Sequence, residues 1–165
     1  MLNSLYHSIH TLAIIPVVEI DDLNRAVPLA ETLIEAGLPL VEITLRTPAA
    51  LQAIQRIRNA HPKIILGAGT ILTLEQAKQA AAAGADFLVS PGLPLDAVEW
   101  ALREGITFLP GAVTPNEILQ GVRLGITVFK FFPAETMGGV AAIKAVADPF
   151  PGIRFIPTGG IQTEH

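Results

Sequence analysis

The chain has 165 residues, of which 50% are hydrophobic, 16% are charged and 5% are aromatic, a composition typical of a domain with an aliphatic core. The net charge of −4 without any basic cluster argues against nucleic acid as a partner, and the lack of cysteine excludes disulfides and thiolate metal sites. No apolar run has the length of a membrane span and the N-terminus lacks a signal-peptide pattern, so we expect a soluble cytoplasmic protein with one domain, 1–165.

A unit of one strand-like apolar run and one alanine-rich helical stretch recurs along the chain. Successive runs start about 20 to 27 residues apart, the length of a strand, a helix and two short loops. Alternating strands and helices predict a parallel sheet with right-handed crossovers. The predicted strands are 13–20, 40–46, 64–70, 86–90, 107–113, 127–132 and 154–158.

Short local signals mark where the helices should begin and end. Thr47-Pro48 and Thr114-Pro115 each place a capping hydroxyl before a proline that suits the first helical position. Four predicted helices are followed by a glycine where the chain needs a left-handed conformation, namely Gly37, Gly84, Gly105 and Gly125.

Seven strand–helix units fit either an open doubly wound sheet or a (β/α)8 TIM barrel without its last unit. In the run 40–46, Glu42, Thr44 and Arg46 alternate with apolar residues. An open sheet covered by helices on both sides would be apolar on both faces. One polar face is better explained by a barrel lumen, so we predict the barrel, with the unit or units after strand seven absent from this chain.

Lys130 is the most informative residue, because it lies in the apolar run 127–132. Most lysines are exposed, and one in such a strand is either half of a structural ion pair, here with Glu42, or a functional group. A lysine that forms an imine attacks a carbonyl as the neutral amine, which apolar surroundings favour. We therefore predict a catalytic role for Lys130.

Glu42 and Arg46 are two further candidates on the same face of their strand. They are about 13 Å apart by strand rise, so they should not pair directly. Arg46 could act as a cation beside Lys130 or hold a substrate carboxylate with its planar fork. The glycine turns 67–70 and 158–160 could offer backbone N–H groups to anions, and no metal-binding or cofactor-binding motif is present.

Six segments carry a resemblance to a known family. They are Glu-Ile-Thr-Leu-Arg-Thr at 42–47, Gly-Ala-Gly-Thr at 67–70, Ser-Pro-Gly at 90–92, Pro-Gly at 110–111, Phe-Lys-Phe-Phe-Pro-Ala-Glu at 129–135 and Pro-Thr-Gly-Gly at 157–160. In this order and spacing the chain resembles the 2-keto-3-deoxy-6-phosphogluconate (KDPG) aldolases over essentially its whole length, and the lysine segment is the most specific.

The resemblance implies a homotrimeric (β/α)8 barrel that cleaves KDPG to pyruvate and glyceraldehyde 3-phosphate without a cofactor or metal, and many members also act on 4-hydroxy-2-oxoglutarate. It implies that Lys130 forms the imine and that Glu42 moves protons through a water. The implied substrate-binding residues are Arg46 and Thr70 for the pyruvyl carboxylate, Pro91 and Phe132 along the pocket, Thr158 for aldehyde facial selectivity, and Gly159 and Gly160 toward the phosphate.

Three alternatives accompany this interpretation. A sister family acts on the galactonate isomer, although it typically lacks the Leu-Arg-Thr, Phe-Phe-Pro-Ala-Glu and Pro-Thr-Gly-Gly forms found here. A phosphosugar isomerase or epimerase barrel would use Glu42 as a base without covalent chemistry. Because family members continue beyond strand seven, a truncated, inactive binding or assembly module is the third alternative.

Overall fold

The structure is a computed structural model that describes residues 2–161, with side chains from residue 5 onward. Strands and helices alternate along this range as the sequence predicts. The strands are Val17–Val18 (β1), Leu40–Thr44 (β2), Ile65–Gly69 (β3), Phe87–Val89 (β4), Thr107–Leu109 (β5), Val128–Phe131 (β6) and Arg154–Pro157 (β7). The helices are Leu2–Leu12 (α1), Ala26–Glu35 (α2), Ala50–Ala60 (α3), Leu74–Ala82 (α4), Leu95–Arg103 (α5), Pro115–Arg123 (α6) and Gly139–Ala147 (α7), and a 3-10 helix covers Leu23–Arg25.

All strand pairs are parallel and follow chain order. Strands β1 to β5 form one sheet, and β6 pairs with β7. The two sheets are joined at Lys130, whose N–H donates to Pro110 O (2.8 Å) and whose carbonyl accepts from Ala112 N (3.0 Å), around a bridge between Gly111 and Lys130. Within residues 2–161, β1 and β7 are the two edges of this seven-stranded array.

The array curls into a barrel. In a flat sheet, strands four positions apart would be separated by about 19 Å. Glu42 of β2 and Lys130 of β6 are four positions apart, yet their charged groups are 3.6 Å apart. The sheet therefore bends around an interior, and the predicted barrel lumen is confirmed.

Two apolar clusters follow from the alternation of side chains along the strands. The outer cluster lies between the strands and their helices and includes Val41 and Ile43. The inner cluster contains Leu40 and Phe87, and α1 contributes Ile9 to it. α1 therefore packs against the apolar strand residues that face the lumen.

The helix starts confirm one predicted cap and correct another. Thr114 and Glu117 form a full capping box with Pro115 at the first turn of α6. The prediction for Thr47-Pro48 is wrong, because α3 begins at Ala50 and the Thr47 hydroxyl instead donates to Ile20 O at 2.5 Å. The Thr47 hydroxyl therefore connects the loop after β2 to the loop after β1. No local sequence pattern indicates this contact.

The four glycines predicted after helices all have positive φ, between 71° and 103°. The first strand is shorter than predicted, since Val17–Val18 replaces 13–20. The helix α1 extends to Leu12, and Ala13 ends it with φ 58° and an N–H bonded to Ile9 O. No helix in the described part of the chain is both long and apolar enough to cross a bilayer.

Candidate active site

Lys130 and Glu42 form a buried pair in the lumen. Only 8% of Lys130 and 3% of Glu42 are exposed, and Lys130 Nζ lies 3.6 Å from Glu42 Oε1. This separation suits an ion pair but exceeds a normal hydrogen bond, and Oε1 has no hydrogen-bond partner among the described residues. A buried oxygen without a partner is uncommon in folded proteins and marks this carboxyl as a candidate functional group.

The surroundings of Glu42 favour its protonated form. Burial raises the pKa of the Glu42 carboxyl above its ordinary value, while the Lys130 ammonium and then the Arg46 guanidinium offset part of that rise. A carboxyl with a raised pKa beside a buried lysine is the arrangement expected of an acid–base group.

Two glycines of β3 make room for larger side chains beside them, and one of these side chains is Glu42. A Cβ at Gly69 would overlap the Glu42 carboxylate, and a Cβ at Gly67 would overlap the Phe87 ring. Both glycines lie on β3, next to β2 in the sheet. Gly67 and Gly69 are therefore strand residues rather than the predicted turn, and Gly69 has a steric role beside Glu42.

Arg46 and Thr70 meet at the carboxyl ends of β2 and β3. Arg46 Nε donates to Thr70 Oγ1 at 3.3 Å. Thr70 has φ 59°, a left-handed conformation that is uncommon for a threonine and is found mostly where function requires it. The structure thus brings together the two residues predicted to bind the carboxylate.

Phe132 lies directly beside the lysine. Its ring centroid is 5.4 Å from Lys130 Nζ, within the range of a cation–π contact. Phe132 is half-buried, and its ring covers one side of the Lys130 ammonium without closing the site to solvent.

The loop that carries Pro91 packs against the strand next to Lys130. Pro91 is half-buried, and its carbonyl sits so close to Gly111 that a Cβ there would overlap it. Gly111 is the bridge partner of Lys130. Pro91 is therefore connected to the lysine strand through one glycine.

The turn after β7 is tied to the segment after Lys130. Thr158 N donates to Phe131 O (3.0 Å), and Thr158 O accepts from Ala134 N (2.8 Å). Gly159 and Gly160 have φ of 99° and 77°, which glycine adopts without strain. Glu42 lies at the middle of β2, and the other eight predicted site residues lie in or after the carboxyl halves of their strands, where barrel enzymes bind substrates.

One charged residue at this rim was missed by the sequence analysis. Glu19 follows β1, and its Oε2 lies 3.9 Å from Arg46 Nη1. Its position just after a barrel strand could have indicated it, but the predicted strand 13–20 placed it inside a strand. A cleft of about 490 Å³ is lined by Glu19, by the rest of the loop after β1 and by α2, and neither Lys130 nor Glu42 lines it.

Within residues 2–161, no group of three or more His, Asp or Glu side chains could hold a metal ion.

The comparisons with known proteins decide the family. A family model described as KDPG and KHG aldolase matches residues 5–165. The chain belongs to this family. A relative from Treponema pallidum (strain Nichols), a 2-dehydro-3-deoxy-phosphogluconate aldolase, is 45% identical over 162 residues, covering 98% of this chain and 77% of the relative.

Two solved structures of KDPG aldolases have the same fold. The enzyme from Zymomonas mobilis ZM4 with 3-phosphoglycerate is 44% identical, with a TM-score of 0.85 over 90% of this chain and 70% of that one. The enzyme from Legionella pneumophila, with pyruvate captured as a covalent carbinolamine intermediate, is 40% identical, with a TM-score of 0.88 over 91% and 73%. The predicted α/β barrel and the predicted family of carbon–carbon lyases are confirmed by these matches.

Proposed function

We propose that this member of the KDPG and KHG aldolase family cleaves KDPG to pyruvate and glyceraldehyde 3-phosphate, and also acts on 4-hydroxy-2-oxoglutarate, through an imine on Lys130. The observation that carries the proposal is the buried pair of Lys130 and Glu42, 3.6 Å apart in the lumen. The covalent carbinolamine with pyruvate in the Legionella pneumophila relative supports covalent chemistry over a non-covalent isomerase.

Imine formation begins when the neutral Lys130 amine attacks the ketone carbon of the substrate. The carbinolamine that results loses water, and Glu42 supplies a proton to the departing hydroxyl. The protonated imine then draws electrons from the bond that breaks, so the reaction needs no metal or cofactor as an electron sink. As that bond breaks, the Glu42 carboxylate takes the proton of the substrate hydroxyl and an enamine of pyruvate remains.

The second half returns the enzyme to its starting state. The aldehyde leaves, Glu42 gives its proton to the enamine carbon, and water hydrolyses the protonated imine, which releases pyruvate and the neutral lysine amine and returns one proton to the Glu42 carboxylate. Glu42 must therefore exist in both protonation states during turnover. Its pKa, raised by burial, brings the two states closer in free energy at neutral pH than an exposed glutamate would allow.

The rim residues are proposed to hold the substrate ends. The planar fork of Arg46, fixed by Thr70, binds the pyruvyl carboxylate. Phe132 and Pro91 line the pocket. The turn 158–160 receives the aldehyde and phosphate end, because it lies beside the segment that follows Lys130.

A homotrimer is proposed for the assembly. Leu95 of α5 and Leu119 and Val122 of α6 are large apolar residues that are 41–43% exposed. Apolar groups on neighbouring helices fit an interface between copies better than a solvated surface. Light scattering on the purified chain measures the mass of the assembly directly.

The test of the activity is cleavage of KDPG by the purified chain, with pyruvate measured as it forms. The galactonate epimer and a sugar phosphate substrate of an isomerase are assayed in parallel. Pyruvate release from KDPG at the higher kcat/KM supports the proposal, and faster cleavage of the galactonate epimer would assign the chain to the sister activity. Pyruvate binding without turnover of any substrate would indicate an inactive binding module.

A further inference from the structure

Glu19 faces the mouth of the barrel from β1. Val17 is in register with Glu42, and side chains alternate along a strand, so Val17 and Glu19 lie on the same side of the sheet as Glu42. The Glu19 carboxylate reaches Arg46, with Oε2 and Nη1 3.9 Å apart. An internal carboxylate therefore lies beside the guanidinium proposed to bind the substrate carboxylate.

The contact between Glu19 and Arg46 is loose. Its length exceeds a hydrogen bond, and the two side chains are 49% and 53% exposed. Half-exposed ion pairs are weak and are easily exchanged for another anion. Glu19 can move away into solvent without leaving a buried charge behind.

Arg46 keeps its position when Glu19 leaves. Its Nε is bonded to the Thr70 hydroxyl, which is fixed at the end of β3. A guanidinium has five N–H donors, and those on its two Nη atoms remain for a carboxylate that binds with both oxygens. Thr70 therefore positions the fork, and Glu19 only neutralises it.

We propose that Glu19 is a displaceable internal counter-ion of Arg46 that lowers the affinity of the site for the substrate carboxylate. This inference rests on the proposed role of Arg46 in substrate binding. Before the substrate binds bidentately, Glu19 must give up its contact, and its remaining negative charge repels the incoming carboxylate. This free-energy cost arises when the substrate binds. Glu19 therefore raises KM and the dissociation constant and leaves the chemical step at Lys130 unaffected.

A positioning role for Glu19 would have the opposite sign. If Glu19 held the fork in its binding orientation, its loss would weaken binding. The structure favours competition, because Thr70 makes a hydrogen bond with Arg46 and Glu19 makes none.

The experiment compares the unmodified 165-residue chain with Glu19→Gln, which removes the charge and keeps the size. Asp21→Asn is the matched control, because Asp21 is exposed near Glu19 and has no ion pair in the described part of the chain. The dissociation constant of pyruvate is measured by calorimetry, and KM and kcat are measured for cleavage. We expect Glu19→Gln to bind pyruvate about two- to fivefold more tightly, which corresponds to about 0.4–1 kcal/mol, and to lower KM similarly with kcat unchanged.

The gain in pyruvate affinity expected for Glu19→Gln should depend on Arg46. In an Arg46→Gln background, Glu19→Gln should change the pyruvate affinity no more than Asp21→Asn does. An affinity for pyruvate that is unchanged or lower in Glu19→Gln, or a gain equal to that of Asp21→Asn, would overturn the inference. Reductive labelling of Lys130 at saturating pyruvate is followed separately in each variant. Absence of that label would count against the imine mechanism, whereas the affinities alone decide the role of Glu19.

Discussion

Glu42 lies 3.6 Å from Lys130 although four strand positions separate them in the sheet, and both side chains are buried in the lumen. The barrel curvature creates this pair, since a flat sheet would hold the two strands about 19 Å apart. Two ionisable groups in an apolar interior are costly unless they serve each other or a reaction. At 3.6 Å the carboxyl lies close enough to act on a substrate group bound at Lys130 Nζ.

Replacing Glu42 by glutamine tests its role as the proton carrier. The amide has nearly the same shape but cannot exchange protons, so we expect turnover of KDPG to fall by about 10²–10⁴-fold while the fold is retained. The measurement is kcat together with thermal melting. Normal turnover would exclude the role, and loss of cooperative melting would mean that Glu42 is a structural counter-ion of Lys130.

The raised pKa of Glu42 also predicts a dependence of stability on pH. At pH values between the ordinary pKa of 4.5 and the raised pKa, the folded protein binds more protons at Glu42 than the unfolded chain does. Stability therefore decreases as pH rises through this range. The contribution of Glu42 is fully present below about pH 4.5 and is lost above the raised pKa. We expect the free energy of unfolding of the wild type, minus that of Glu42→Gln, to decrease with pH in denaturant titrations. A difference that increases with pH would contradict the burial of this carboxyl.

Much of this arrangement follows from sequence, because strand alternation and barrel curvature obey simple rules. The alternation in 40–46 places Glu42 in the lumen, and the apolar neighbours of Lys130 indicate its burial. The contacts of loop side chains follow from no such rule. The Thr47 hydroxyl donates to Ile20 O, which belongs to the preceding strand–helix unit. Glu19 reaches Arg46 only because the strands that precede them, β1 and β2, are adjacent. The predicted run 13–20 is longer than β1, which covers only Val17–Val18, because Ala13 ends α1 in a left-handed conformation and the strand pairing begins only at Val17.

Arg46→Lys tests the carboxylate-binding fork. Lysine keeps the charge but cannot bond to Thr70 and bind a carboxylate bidentately at the same time. We expect weaker pyruvate binding and a loss in kcat/KM equivalent to about 1.5–3 kcal/mol of transition-state stabilisation. Unchanged kcat/KM would assign Arg46 a purely structural role with Thr70 and Glu19.

Gly69→Ala tests the steric support of Glu42. The added methyl group would overlap the carboxylate, so Glu42 must move away from Lys130. Displacements of about 1 Å near a reacting centre can cost about 10²-fold in rate, and we expect kcat to fall by this order. Gly92→Ala is the control, because a Cβ there meets open space. Equal kcat in the two variants would show that the position of Glu42 is not critical.

The most direct test of the central claim is reductive trapping with pyruvate and borohydride, followed by digestion and mass spectrometry. The chain has four lysines, and Lys63, Lys78 and Lys144 are exposed and serve as internal controls for Lys130. An imine on Lys130 predicts a single reduced pyruvate adduct on the peptide containing 129–135, with none on the other three. An adduct on any of those three lysines without one on Lys130, or no adduct in a sample that cleaves KDPG, would contradict the assignment.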